Sequence, residues 1–368
     1  MRLFGRRSGR AEARPALVRG GIGVGGLQGD WPRGYEAQVR DAYLGNAVAQ
    51  RSVRMVADAC GSVIVLAGEQ GHVAERIVKP VLETAAAQML LHGNAYLLVG
   101  IGADGRPDAL YPLRPERVTV EPDGGGWPVA YRYQAGAAVM RYPLAGDGGA
   151  GVIHLKALHP LDDHYGLGSL GAAAGPVAIH NAATRWNKAL LDNAARPSGA
   201  LVYDPGEPGA VLSREQHDRL KADMDASFAG SANAGRPMLL EGGLKWQAMS
   251  LSPADMDFVG LKAAAAREIA LAFGVPPMLL GLPGDNTYAN YAEASRALWR
   301  LTVLPLVAKL LDGLSAGLAP WWADLGLAAD LDAVPALAGD RAAMWSQVTG
   351  ADFLTRAEKR EMLGFAAE

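Results

Sequence analysis

A single cysteine, Cys60, stands in 368 residues. That excludes an internal disulfide framework and a cysteine-rich zinc site. Its run MVADACGSV is helix-like, so Cys60 is expected to be a small buried residue and not a reactive thiol. Positive charge is also lacking. The formal net charge is −3, whereas a protein that grips DNA phosphates usually carries a basic excess. No stretch reaches the ~18 uninterrupted apolar residues of a membrane span. The N-terminus MRLFGRRSGR lacks the apolar region of a signal peptide, so no membrane partner is expected. There is no Gly-x4-Gly-Lys-Ser/Thr phosphate loop and hence no Walker-type ATPase.

Half of the residues are hydrophobic, enough for a real core. The length suits two or three compact units at ~150 residues each. Apolar residues recur at helical spacing from Asn46 to Ser62 and from Ala74 to Leu91, with Pro80 near the first turn of the second run or kinking it, and His92-Gly93-Asn94 ending it, Gly93 able to take the left-handed conformation. The period then changes to two. Strands are expected at 95–101, 109–113, 117–121, 127–134, 139–143 and 152–158. Helices followed by an antiparallel sheet give an α+β fold class.

A long helix is expected over Ser169–Asn193, bent or restarted at Pro176. A small β-α-β-β insertion follows. Its helix is capped by Ser213, and its hairpin joins 238–241 to 245–249 about Gly242-Gly243. A second long helix is expected to begin with Ser252 as N-cap and Pro253 at its first position, and to end at Phe273-Gly274. Asp255 and Asp257 open it, where carboxylates meet the helix dipole. A polar loop, 278–291, precedes a leucine-rich helix interrupted by Pro305, and two short helices follow Pro335.

Few motifs carry chemistry. Three Gly-x-Gly-x-x-Gly matches occur, at Gly21/Gly23/Gly26, Gly146/Gly148/Gly151 and Gly166/Gly168/Gly171. None sits between a strand and a helix at the spacing a dinucleotide requires, so no cofactor is expected. Gly313-Leu314-Ser315-Ala316-Gly317 matches the esterase elbow pattern, but it lies in a helical stretch. His154, His159, Asp162, Asp163 and His164 could supply metal ligands. No helical pair presents two imidazoles, and a polar turn accounts for them. Neither catalytic residues nor a metal site is expected.

Several local runs, taken in order, resemble one family. They are LLHGNAYLLV at 90–99 with LYPLRPERVTV at 110–120, VIHLKALHPLDDHYGLGSL at 152–170, and NAARPSGAL at 193–201. AGRPMLLEGGLKWQAMSLSPADMDF at 234–258, REIALAFGVPPMLLG at 267–281 and ADFLTRAEKREMLG at 351–364 complete the set. Together they resemble the portal proteins of tailed phages, of the lambda-like siphophage type, and above all those of gene transfer agents of alphaproteobacteria. One departure is GLGSL at 166–170, where many relatives read closer to GLSPL.

The resemblance implies a dodecameric ring at one capsid vertex, assembled in a bacterial cytoplasm and resident in a virion or phage-like particle. It implies a mobile tail over 1–39, a wing over 40–168, a first stem helix over 169–196 and a clip over 197–252. It further implies a second stem helix over 253–277, a tunnel loop over 278–292, a long wing/crown helix over 293–330 and a crown over 331–368. Gly281, Gly284, Asp285, Asn286, Thr287, Tyr288 and Asn290 would then face DNA. Leu239, Leu240, Leu244, Lys245 and Trp246 would meet neighbouring subunits, the motor or adaptors. Implied partners are the major capsid protein, the terminase large subunit, head-tail adaptors and double-stranded DNA without sequence preference. The competing readings are a serine hydrolase using Ser315, a metal-dependent enzyme around His154, and a DNA-binding adaptor.

Overall fold

The computed structural model describes residues 16–17, 34–68, 72–145, 151–192, 199–203, 211–228, 244–248, 257–282, 288–323 and 325–363. The chain divides into two units, Met1–Ala174 with Ile269–Glu368, and Gly175–Glu268.

The first unit opens with α1 (Tyr35–Val39), which runs into a π-helical turn at Arg40–Leu44. Leu17 donates its N–H to the Gly125 carbonyl at 3.0 Å. Of the expected tail over 1–39, only residues 16–17 and 34–39 are described. Asn46 caps α2 (Ala47–Ser62), its Oδ1 accepting the N–H groups of Val48 and Ala49 at 3.0 Å. Ala49, Val53, Val56, Ala57 and Cys60 form the buried stripe, and burial pushes the Cys60 thiol up to about 12. At the far end, Lys79 Nζ donates to the Gly61 carbonyl at 2.6 Å and to that of Val63, a cation at the negative helix terminus.

After β1 (Val65–Leu66), the expected helix 74–91 is two helices, α3 (His72–Val78) and α4 (Leu82–His92), joined by a 3-10 turn at Lys79–Val81. Pro80 is the reason. It has no N–H to donate, and its ring crowds the preceding turn. Gly93 closes α4 at φ 81°.

The strands are β2 (Asn94–Ile101), β3 (Pro107–Leu113), β4 (Val118–Pro122), β5 (Pro128–Ala135), β6 (Ala138–Pro143) and β7 (Val152–Lys156). They form two antiparallel sheets in the orders β3-β2-β7 and β4-β5-β6. Tyr96, Leu113, Val118, Val120, Tyr131 and Val152 make one core cluster from both sheets.

The second unit takes most of α5 (Ser169–Asp192), which runs through Pro176 without a break in its assignment. Then come β8 (Gly199–Tyr203), α6 (Arg214–Phe228), β9 (Leu244–Ala248) and α7 (Phe258–Ala272). Ser213 and Gln216 form a reciprocal cap at the head of α6. The described partner of β9 is β8, antiparallel, with Leu201 opposite Trp246. Residues 238–241, the expected hairpin partner, lie outside the described residues, as do Ser252 and Pro253. The Trp186 and Phe258 rings stack at 5.9 Å between α5 and α7.

Of the expected second stem helix over 253–277, α7 occupies Phe258–Ala272, and residues 253–256 lie outside the described residues. Asp257 adopts φ 38°, which no helix interior tolerates, and its carboxylate accepts the Gly260 N–H at 3.0 Å.

Returning to the first unit, a 3-10 turn at Pro277–Leu280 precedes α8 (Tyr288–Leu298), a π-helical turn at Trp299–Val303 and α9 (Leu304–Leu318). These last three make one continuous helix. The π turn just before Pro305 absorbs the missing N–H without ending the helix. The stretch Asn290–Leu318, 29 residues at mean hydropathy 1.5, has the length and composition of a membrane span. Arg296, Arg300, Lys309 and Asp312 interrupt it, and its buried stripe of Val303, Val307, Leu310, Leu311, Leu314 and Leu318 belongs to the protein core.

The long helix ends at Leu318, well before the expected 330. β10 (Ala328–Ala329) follows and pairs with β1. Two helices close the chain, α10 (Ala338–Gly350) and α11 (Arg356–Met362), the second with a Thr355/Glu358 capping box.

Candidate functional site

The expected tunnel-loop residues divide in two. Gly281 ends the 3-10 turn in the left-handed conformation, φ 71°. Gly284, Asp285, Asn286 and Thr287 lie outside the described residues. Tyr288 and Asn290 are not loop residues, because they sit in the first turn of α8. The loop is therefore shorter than 278–292, running at most from Gly281 to Thr287. Past it, Arg300 Nη2 meets Asp340 Oδ2 at 2.6 Å and Arg296 Nε meets Asp340 Oδ1 at 3.5 Å. Two cations of the following helix are thus matched by a carboxylate of α10.

Of the expected clip residues, Leu239 and Leu240 lie outside the described residues. Leu244 and Lys245 stand on β9 opposite Tyr203 and Val202. Lys245 is exposed and Leu244 half-buried.

The catalytic alternatives do not assemble. Ser315 lies inside α9, and its Oγ accepts the Leu327 N–H at 3.3 Å. An esterase elbow needs a strand-to-helix turn, which a helix interior cannot provide. Gly313 and Gly317 have a packing role instead: a Cβ on them would stand 2.3 Å from Leu155 Cδ2 and 2.7 Å from Ile153 Cγ1 on β7. Among the described residues, no group of three or more His, Cys, Asp and Glu side chains could hold a metal ion.

The histidine-rich run serves the fold. His164 Nε2 donates to the Gly126 carbonyl at 2.6 Å. Asp162 Oδ1 accepts the N–H groups of His164 and Tyr165 at 2.7 and 3.0 Å. His159 Nδ1 accepts the Leu161 N–H at 3.1 Å, and Lys156 donates to the Asp163 carbonyl.

At the centre is Asn94, fully buried at the head of β2. Its Oδ1 accepts from Gly166 N–H at 2.7 Å and from His154 Nε2 at 2.9 Å. Its Nδ2 donates to the Gly166 carbonyl at 3.1 Å and to His92 Nδ1 at 3.0 Å. All four hydrogen-bonding positions of the amide are used.

Both imidazoles are held neutral. Burial, then Lys156 and His92, lower His154 to about 3, and burial lowers His92 to about 4. His154 also stacks on Tyr96 at 4.2 Å. The sequence reading took His92, Gly93 and Asn94 only as a helix end. The missed signal was an asparagine heading an otherwise apolar strand, a residue type that strands disfavour unless its amide is satisfied.

The third glycine motif is explained here. A Cβ on Gly166 would lie 2.0 Å from the Gly93 carbonyl oxygen, and one on Gly168 would lie 2.6 Å from that of Leu91, whereas Gly171 has nothing within 4 Å. Two backbones pass in contact, and no phosphate cradle is formed.

A family model described as phage portal protein matches residues 79–364. A protein of Rickettsia bellii (strain RML369-C) is 41% identical over 348 residues, 88% of each chain. The portal protein of Enterobacteria phage HK97 is 26% identical over 199 residues, 54% of this chain and 44% of that one. A solved chain from the neck of a native gene transfer agent particle, computed with C12 symmetry, is 45% identical. It covers 92% of this chain and 95% of its own, at TM-score 0.70.

Proposed function

Because the chain belongs to the phage portal protein family, we propose that twelve copies close into a ring at the neck of a phage-like particle, with double-stranded DNA passing through its centre. The observation that carries this is the 45% identity, over 92% of the chain, to a subunit of a twelvefold gene transfer agent neck. Residues 40–168, the α+β part of the first unit, form the wing. In the second unit, the strand pair β8–β9 with α6 forms a clip that docks the terminase motor and later the adaptors. Wing surfaces meet the major capsid protein.

The role is structural and not enzymatic. A ring needs no reactive group, only a path along which DNA slides. A chain with no basic excess suits that path, since a basic lining would hold phosphates. Native mass spectrometry of the purified chain tests the reading: a closed ring of about twelve subunits is expected, and a stable monomer or dimer would overturn it. Ser315→Ala is expected to leave the yield of DNA-filled particles near wild type. A large loss with ring assembly intact would restore the hydrolase reading.

The segment from Gly281 to Thr287 is assigned to the channel wall. Gly284, Asp285, Asn286 and Thr287 are small or short and polar, able to touch phosphates transiently without forming several strong ion pairs. Asp285→Arg with Asn286→Arg should add phosphate contacts, each salt-sensitive. The expected outcome is normal rings with slower or incomplete packaging that improves as ionic strength rises. Packaging at the wild-type rate in low salt would remove this segment from the channel wall.

A further inference from the structure

The connection from β7 to α5, residues 157–168, is fixed more firmly than a linker requires. Both backbone groups of Gly166 are bound to Asn94. Ala157 N–H donates to the Gly93 carbonyl at 2.8 Å, and the Tyr165 hydroxyl accepts the Val120 N–H at 3.1 Å. Bonds within the segment, from Asp162 and His159, set its turns, and His164 Nε2 ties it to the Gly126 carbonyl. Yet this rigid segment holds three leucines in solvent: Leu158 is 82% exposed, Leu161 75% and Leu167 53%. Single exposed leucines are ordinary, but three on one immobilised strip make a preformed apolar surface that loses little freedom on being covered.

We infer that residues 157–168 form the strip by which one subunit of this chain grips the next in the ring. The inference rests on the ring proposed above. A cyclic ring uses heterologous contacts, in which a patch on one subunit meets a different patch on its neighbour, so the strip need not face itself. A second copy is the occupant favoured because the 45% identical relative belongs to a neck of C12 symmetry, where every subunit has two neighbours of its own kind. The exposed groups also suit a protein face: apolar side chains dominate, and Asp163 beside them would repel DNA phosphate.

Two measurements test it. In the first, wild type and the double variant Leu158→Ser, Leu161→Ser are compared by native mass spectrometry across a dilution series, with circular dichroism to confirm the fold. Removing two buried leucines from each contact should raise the concentration needed for rings on the order of 100-fold or more. Rings at the wild-type concentration would overturn the inference. A wild-type chain that forms no ring would overturn both the ring and this contact, so the two failures are distinguishable.

The second uses the fact that Cys60 is buried. Leu161→Cys introduces one accessible thiol. A polar maleimide should label it at least 10-fold more slowly in isolated rings than in diluted subunits. Equal rates would overturn the inference, as would protection that appears only in whole particles, which would assign the strip to another protein.

Discussion

Gly166→Ala is expected to lower the thermal midpoint of the purified chain by on the order of 10 °C, while Gly171→Ala leaves it unchanged or slightly raised. The two glycines belong to one sequence motif and differ only in surroundings. A Cβ at Gly166 would meet the Gly93 carbonyl oxygen at 2.0 Å and the Ala157 nitrogen at 2.6 Å, both backbone atoms that cannot swing aside. The two passing segments would have to part, breaking the paired bonds between Gly166 and Asn94. Overpacking of this kind together with a stranded buried amide costs about 3–5 kcal/mol. In a domain of this size each kcal/mol moves the midpoint by ~2–4 °C. At Gly171, inside α5, a methyl meets nothing within 4 Å, and alanine favours helix over glycine by up to ~1 kcal/mol. Differential scanning fluorimetry of the two variants decides the matter. A cradle for phosphate would make the motif's glycines matter together, and equal losses at Gly166 and Gly171 would refute the packing account.

Acid is expected to destabilise the first unit strongly between pH 6.5 and about 4. His154 and His92 have folded values of about 3 and about 4 against an ordinary 6.5. The folded protein therefore binds these protons less readily than the unfolded chain. The sign follows: stability from the neutral imidazoles is fully present above pH 6.5 and is lost as pH falls towards the folded values. At pH 5, each histidine favours unfolding by at most about 2 kcal/mol, taking ~1.4 kcal/mol for each pH step below 6.5. Geometry requires the same protonation state. His92 Nδ1 accepts from the Asn94 amide, and a proton there would abolish that bond.

His154→Gln keeps an N–H able to reach Asn94 Oδ1 and removes one titration. Urea unfolding from pH 7.5 to 4.5 should show a shallower pH dependence for this variant than for wild type. Parallel curves would mean that His154 does not couple to folding.

Particular residues divide what was legible in the sequence from what was not. Gly93 after α4, Ser213 at the head of α6, and Gly274 after α7 were readable because each acts on neighbours within about four positions. Alternation of period two located β2 to β7. The ordered set of local runs pointed to the portal family.

The start of α8 was misread from composition. Tyr288 and Asn290 read as loop because the polar residues before them resemble their own composition. The candidate channel residues Asp285 and Asn286 were singled out by loop chemistry and family resemblance, and they rest on no geometry.

The sequence by itself determined the α+β class, the helix caps, the strand order along the chain and the family, since each depends on local spacing or on a long ordered pattern. Only the tertiary structure decided that β9 lies on β8, that Gly313 and Gly317 admit β7, and that Asn94 ties together His92, His154 and Gly166. Asn94 and Gly166 are separated by 72 positions. A buried amide must find partners wherever the folded chain brings them, and no local rule specifies which backbone will pass within hydrogen-bonding distance.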